Sequence, residues 1–305
     1  MGRRLGTVAA LGAIACAPAC SLLLTAEHDQ CGSDGDCARR GFAGAACLDG
    51  VCVTAAPGTE PDASADAPVD PTWGCLNSTP PALPAQDDSR TLRIEAKLVE
   101  LFTNAPVVGM DLRLCRGLDV LCQSPLGKTA TNDAGVYGFD VPFAFRGFVD
   151  GTPPDGSTLM PIISPFMRPP TQEHRLADDT PYSVPSQANL ESLLAIIGRQ
   201  VAPSSGHVFG LALDCAGKPA VGVVLTSRNT TAESVGYYLD DSRLPNTTQG
   251  ATSSQGEVGY VNLPPGPVTF TYAKVDGTPI GTATVLVRAG TVTYADFSPN
   301  ATSNP

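Results

Sequence analysis

A chain of 305 residues with a net charge of −11 presents no basic face for nucleic acid and none for electrostatic docking on anionic lipid. With Gly 31, Pro 28, aromatic residues at 6% and charged residues at 16%, the composition favours short strands and turns over helices. The length suits about two ordinary domains.

Arg3 and Arg4 supply a positive start, and Leu5 to Ala19 is apolar or small throughout. That run is too short for a membrane-spanning helix, which needs about 20 apolar residues, and reads as a secretory signal over residues 1–19. Its end, Ala17-Pro18-Ala19-Cys20, resembles a bacterial lipobox, in which the cysteine becomes the lipidated first residue of the mature chain. Ala13-Ile14-Ala15-Cys16 is a second candidate, and Cys20 is preferred because it allows the longer apolar run. Ser21, rather than an aspartate, follows Cys20 and predicts sorting to the outer membrane, with the chain periplasmic or surface-exposed.

Eight further cysteines follow: Cys31, Cys37, Cys47, Cys52, Cys75, Cys115, Cys122 and Cys215. An even number in an exported chain predicts disulfides. The first four lie in residues 20–53, a Gly-rich head with too few apolar residues for a core, where two crosslinks of roughly 3 kcal/mol each would substitute. Their spacing lacks the C-x2-C pairs of a zinc site, and it leaves three pairings open. Residues 54–72, rich in Pro, Ala and Asp, have almost nothing to bury and read as a solvated, disordered linker. Asp62, Asp66 and Asp70 within it lack the ligand spacing and central glycine of a calcium loop.

The folded part is expected from Trp73. Leu92, Ile94, Ala96 and Leu98 alternate with charged residues, as do Met110, Leu112 and Leu114, then Tyr137, Phe139 and Val141. Cys115 and Cys122 flank a short polar excursion that a local disulfide would close. After Pro185, Leu190, Leu193, Leu194 and Ile197 fall at helical spacing, with Ser186 to cap and Gly198 to end a helix that packs on a sandwich. Alternation resumes at Phe209, Leu211 and Leu213, then Val268, Phe270 and Tyr272, then Ala283, Val285 and Val287, and finally Val292 and Tyr294.

The two stretches repeat. Pro106-Val107-Val108-Gly109-Met110 matches Pro219-Ala220-Val221-Gly222-Val223, and Gly135-Val136-Tyr137-Gly138-Phe139 matches Gly256-Glu257-Val258-Gly259-Tyr260. Gly135 and Gly256 are each expected at a turn with positive φ just before a strand. "GKPAVGVVL" with "TSSQGEVGYVNLPPG", and "NAPVVGMDL" with "TATNDAGVYGFDVP", resemble the carboxypeptidase regulatory-like domain, a transthyretin-like β-sandwich. The resemblance covers about two thirds of the chain. It implies an all-β fold of two tandem Ig-like, transthyretin-like sandwiches, residues 73–185 and 206–298, joined by a helix in 186–205. Two separate cores would then melt separately. With the lipobox and the cysteine-rich head, the chain also looks like a bacterial surface lipoprotein.

Chemistry is sparse. The sequence holds three histidines, His28, His174 and His207, and no H-E-x-x-H, G-x-S-x-G or phosphate loop. Asp178-Asp179 and Asp240-Asp241 read as solvated loops before calcium ligands. The N-x-Thr sequons at Asn77, Asn229, Asn246 and Asn300 read as turns in a bacterial chain. The expected function is that of a lipid-anchored envelope protein whose sandwiches bind or space, with no catalysis, no cofactor and no metal. Its partners are then the membrane, through the anchor, and an envelope protein or polysaccharide. The alternative is a secreted metal-dependent enzyme similar to the intradiol dioxygenases, recruiting Tyr182, Tyr237, Tyr238, His174 and His207.

Overall fold

The computed structural model describes residues 33–39, 45–48, 51–54, 72–79, 82–174, 181–299 and 301. Cys20 and Cys31 lie outside them, as does nearly all of the 54–72 stretch, so the lipidation site is not described. Residues 1–67 and 68–305 form two bodies.

In the first body, helix α1 (Asp34–Arg39) precedes strands β1 (Ala45–Leu48) and β2 (Val51–Thr54). Ser33 Oγ bonds to Asp36 Oδ2 at 3.0 Å at the start of α1. The strands form an antiparallel hairpin with Cys47 opposite Cys52. Cys37 is buried, and Cys37 and Cys47 are both disulfide-bonded.

Among its described residues the second body is all-β apart from one helix and a 3-10 turn at Gly74–Asn77. Its first half holds β3 (Asp87–Glu100), β4 (Asp111–Arg116), β5 (Gly127–Ala130), β6 (Val136–Phe143), β7 (Gly147–Thr152), β8 (Ile162–Pro165) and β9 (Tyr182–Val184). Helix α2 (Gln187–Ile196) follows. The second half holds β10 (Gly206–Ala212), β11 (Val223–Ser227), β12 (Val235–Leu239), β13 (Pro245–Asn246), β14 (Glu257–Leu263), β15 (Gly266–Lys274), β16 (Pro279–Val287) and β17 (Val292–Phe297).

Each half is a sandwich, and the two share one wiring. In the first, β3 pairs antiparallel with β6 and parallel with β9; in the second, β10 pairs antiparallel with β14 and parallel with β17. The facing layers run β4-β7-β8 and β11-β15-β16. The repeat extends to single hydrogen bonds. Leu98 N–H donates to Gly135 C=O at 2.9 Å, and Ala212 N–H to Gly256 C=O at 2.8 Å. Met110 N–H donates to Thr131 Oγ1 and Val223 N–H to Thr252 Oγ1, both at 2.9 Å. Gly135 (φ +76°) and Gly256 (φ +68°) take the expected left-handed conformation. A Cβ would sit 2.4 Å from Leu98 C=O in one and 2.6 Å from Ala212 C=O in the other.

The halves are joined, not strung. β8 pairs parallel with β17, Ile162 opposite Val292 and Ile163 opposite Thr293. One nine-stranded sheet, β13-β12-β14-β10-β17-β8-β7-β4-β5, therefore runs through both. This makes the central strands apolar on both faces. Along β10, Val208 and Ala212 face the second core, while Phe209 packs on the first. The expected alternation at Phe209, Leu211 and Leu213 thus marks the outer face of that sandwich.

That outer face is covered by α2. Ser186 caps it, accepting from Asn189 N–H at 3.1 Å, and Gly198 (φ +66°) ends it. Leu190 and Leu194 are buried in a cluster that also holds Tyr237, Val261 and Tyr294 of the second half. Trp73, which the sequence places at the head of the first sandwich, is buried in the second core beside Val208 and Phe297. Among the described residues no helix is long and apolar enough to cross a membrane.

Candidate functional site

The four cysteines of the second body form two disulfides. Cys115–Cys122 closes the short excursion after β4, with Cα atoms 5.2 Å apart. Cys75–Cys215 joins residues 140 apart in sequence, with Cα atoms 5.8 Å apart, and staples the entering chain to the second half. Cys215 N–H also donates to Thr72 C=O at 3.1 Å.

Cys115, Cys122 and Asp150 are the one described cluster with donor atoms close enough for a metal ion. The two sulfurs are bonded to each other, so no thiolate is offered. Asp150 instead holds two guanidinium groups. Arg113 Nη2 lies 2.6 Å from Oδ2, and Arg288 Nη1, from the turn between β16 and β17, lies 3.0 Å from Oδ1. Arg288 also donates to Val120 C=O in the disulfide loop and stands 5.6 Å over the Phe148 ring. Asp150 is buried, so these two partners offset the desolvation of its charge. The cluster is a clasp between the halves.

The five residues of the metal-enzyme alternative do not converge. Tyr237 and Tyr238 leave β12 on opposite faces, Tyr237 into the first core and Tyr238 toward the second, where its hydroxyl accepts from Leu225 N–H at 3.0 Å. Burial raises both phenols above their ordinary range. Tyr182 packs edge-on against Tyr294 at 5.3 Å. His174 is exposed, paired through its backbone with β3. His207 is fully buried on β10; its Nδ1 accepts from Asn262 N–H at 3.4 Å, and burial lowers its pKa to about 4. Asp240 Oδ1 accepts from Ser242 and Leu244 N–H and Asp241 Oδ1 from Ser254 Oγ, so this acidic pair caps a turn. Asp178-Asp179 lie outside the described residues.

One surface depression is polar. A cleft of about 400 Å³ opens between β5 and β6, with Arg93, Lys128, Thr129 and Asp140 at its rim and Phe139 at its floor. Two glycines shape it. A Cβ on Gly127 would lie 3.4 Å from the Phe139 ring, and one on Gly138 would lie 2.5 Å from Arg93 Nη2. Arg93 also pairs with Glu95 at 3.3 Å and with Asp140 at 3.7 Å. The cleft offers hydrogen bonds, two cations and one carboxylate to a bound group, and no nucleophile–base pair. Sequence reasoning passed over it because its residues are ordinary strand positions; the glycine shared by Gly138 and Gly259 was the available signal.

No family model matches the chain, and no curated protein does. Several solved structures overlap it loosely. The Bacillus anthracis TIE protein is 12% identical over 68% of this chain, at a TM-score of 0.25. That match spans 34% of the TIE protein, so this chain corresponds to about a third of it. The shaft pilin SpaA from Lactobacillus rhamnosus GG is 11% identical over 68% of this chain and 98% of its own, at a TM-score of 0.21. The family CBM26 module of Eubacterium rectale Amy13K, solved with maltoheptaose, is 10% identical over 68% and 93%, at a TM-score of 0.23. At such scores none of them carries an argument about this chain.

Proposed function

We propose that this chain is a lipid-anchored protein of the bacterial cell envelope whose double sandwich binds or spaces without catalysis. In this reading residues 1–19 are cleaved, Cys20 carries the lipid, and the cysteine-rich head and the 54–72 linker precede the sandwiches. The sandwiches are carboxypeptidase regulatory-like, and the partner is an envelope protein or polysaccharide. The observation that carries the reading is the Cys75–Cys215 disulfide. A crosslink between residues so far apart belongs to an oxidising compartment, where the export signal would deliver the chain. The clasp and the shared sheet support a rigid display unit, and the scattered His and Tyr side chains give no support to the metal-enzyme alternative.

The test is labelling of cells with a palmitate analogue, followed by membrane fractionation. Wild type should carry label in the outer-membrane fraction, and Cys20→Ser should lose the label. Equal labelling of the two refutes the anchor.

A further inference from the structure

The two copies differ at one strand position. In the second half β12 lies along the outer edge of β14, with Tyr237 opposite Gly259 and Gly236 opposite Tyr260. In the first half the shorter connection between β4 and β6 holds only β5, which ends beside Thr131 and pairs with β4, so no described strand takes the place of β12. Among the described residues β6 is therefore an edge strand, paired only with β3.

Gly138 of β6 stands where Gly259 stands in β14. Gly259 leaves room for the neighbouring strand: a Cβ there would lie 2.4 Å from Tyr237 Oη. Over Gly138 the nearest atoms are those of the Arg93 guanidinium, a side chain 43% exposed and held by surface pairs with Glu95 and Asp140 that an incoming strand can displace. The backbone points the right way. Val136 bonds through both N–H and C=O to Asn132, at 3.0 Å each, and so faces away from β3. Hydrogen-bonding direction alternates along an antiparallel strand, so the amides of Gly138 and Asp140 face outward too. The polar cleft borders this edge, and β5 roofs it.

We propose that the outer edge of β6 receives an extended segment of a partner polypeptide, paired antiparallel as β12 is in the second half, with an aromatic side chain over Gly138. Main-chain bonds supply the affinity and the aromatic sets the register. Arg93, Lys128 and Asp140 around the edge discourage indiscriminate pairing, as charged residues on edge strands do. The proposal rests on reading the unit as a binding module. The anchor is tested by labelling in cells, so either can fail alone.

The experiment titrates the full chain with a labelled peptide of the β12 sequence, Ser-Val-Gly-Tyr-Tyr-Leu-Asp. Anisotropy reads binding, and amide hydrogen exchange reads its place. Saturable binding is expected, with slowed exchange at Gly138 and Asp140. N-methylation of the first tyrosine removes one main-chain donor and should weaken binding about tenfold or more, with no demand on the protein's folding. Gly138→Val should weaken it comparably. Absence of saturable binding, indifference to N-methylation, or new protection at Gly259 in place of Gly138 would overturn the proposal. So would concentration-dependent protection of β6 without peptide, which would give the edge to a second copy of this chain.

Discussion

Arg288 reaches across the junction of the two halves and places Nη1 3.0 Å from Asp150 Oδ1. Arg113 holds the other oxygen of the same carboxylate. One buried charge thus ties β4 and β7 of the first sandwich to the β16–β17 turn of the second.

Removing Arg288 leaves the buried Asp150 carboxylate with Arg113 alone and one oxygen without its cationic partner. Arg288→Ala should cost about 3 kcal/mol in urea unfolding. Arg243→Ala breaks the exposed pair with Glu257 and should cost under about 1 kcal/mol. Equal costs would remove the clasp from the account.

The repeat predicts matched glycine effects. Gly135→Ala and Gly256→Ala each push a Cβ into a carbonyl at positive φ and should each lose about 2 kcal/mol or more. Gly109 has φ +74° but open space, so Gly109→Ala should lose only about 1 kcal/mol. Thermal unfolding of the three variants decides the ranking.

Acid should weaken the fold through His207. Its pKa is lowered from 6.5 to about 4 in the folded chain, so the unfolded chain binds the proton first. The stability its neutral form contributes is present above about pH 6.5 and is lost as pH falls toward about 4, a change of about 3 kcal/mol. Urea midpoints at intervals across that window should fall in wild type and flatten in His207→Gln.

Cys75–Cys215 closes a long loop. Chain entropy assigns it about 5 kcal/mol. The paired change Cys75→Ser with Cys215→Ser should lower the urea midpoint accordingly, and an unchanged midpoint would contradict the staple.

What the sequence disclosed is what neighbours along the chain decide. The turns at Gly135 and Gly256, the Ser186 cap and the inward faces of β3, β6 and β15 follow from local patterning. The join of β8 to β17 does not, because Ile162 and Val292 are far apart in sequence and a parallel pair leaves no turn signature. Phe209 misled for the same reason: a strand buried on both faces has no solvent side for the alternation to reveal. Asp150 and Arg288 read as ordinary charges until the join brings them together. The open edge of β6 emerges only when β12 is seen to lie beside β14 and no described strand is seen in its place beside β6.

The central structural claim is that two sandwiches sharing one sheet unfold as one unit. Phe139→Ala empties a buried site of the first core and should cost about 3–5 kcal/mol. Native-state hydrogen exchange on that variant reads the second half through the amides of β15 and β16. Their protection should fall together with that of β3 and β6. Wild-type protection in β15 and β16 while the first half exchanges freely would contradict it, and the two halves would then be separate domains.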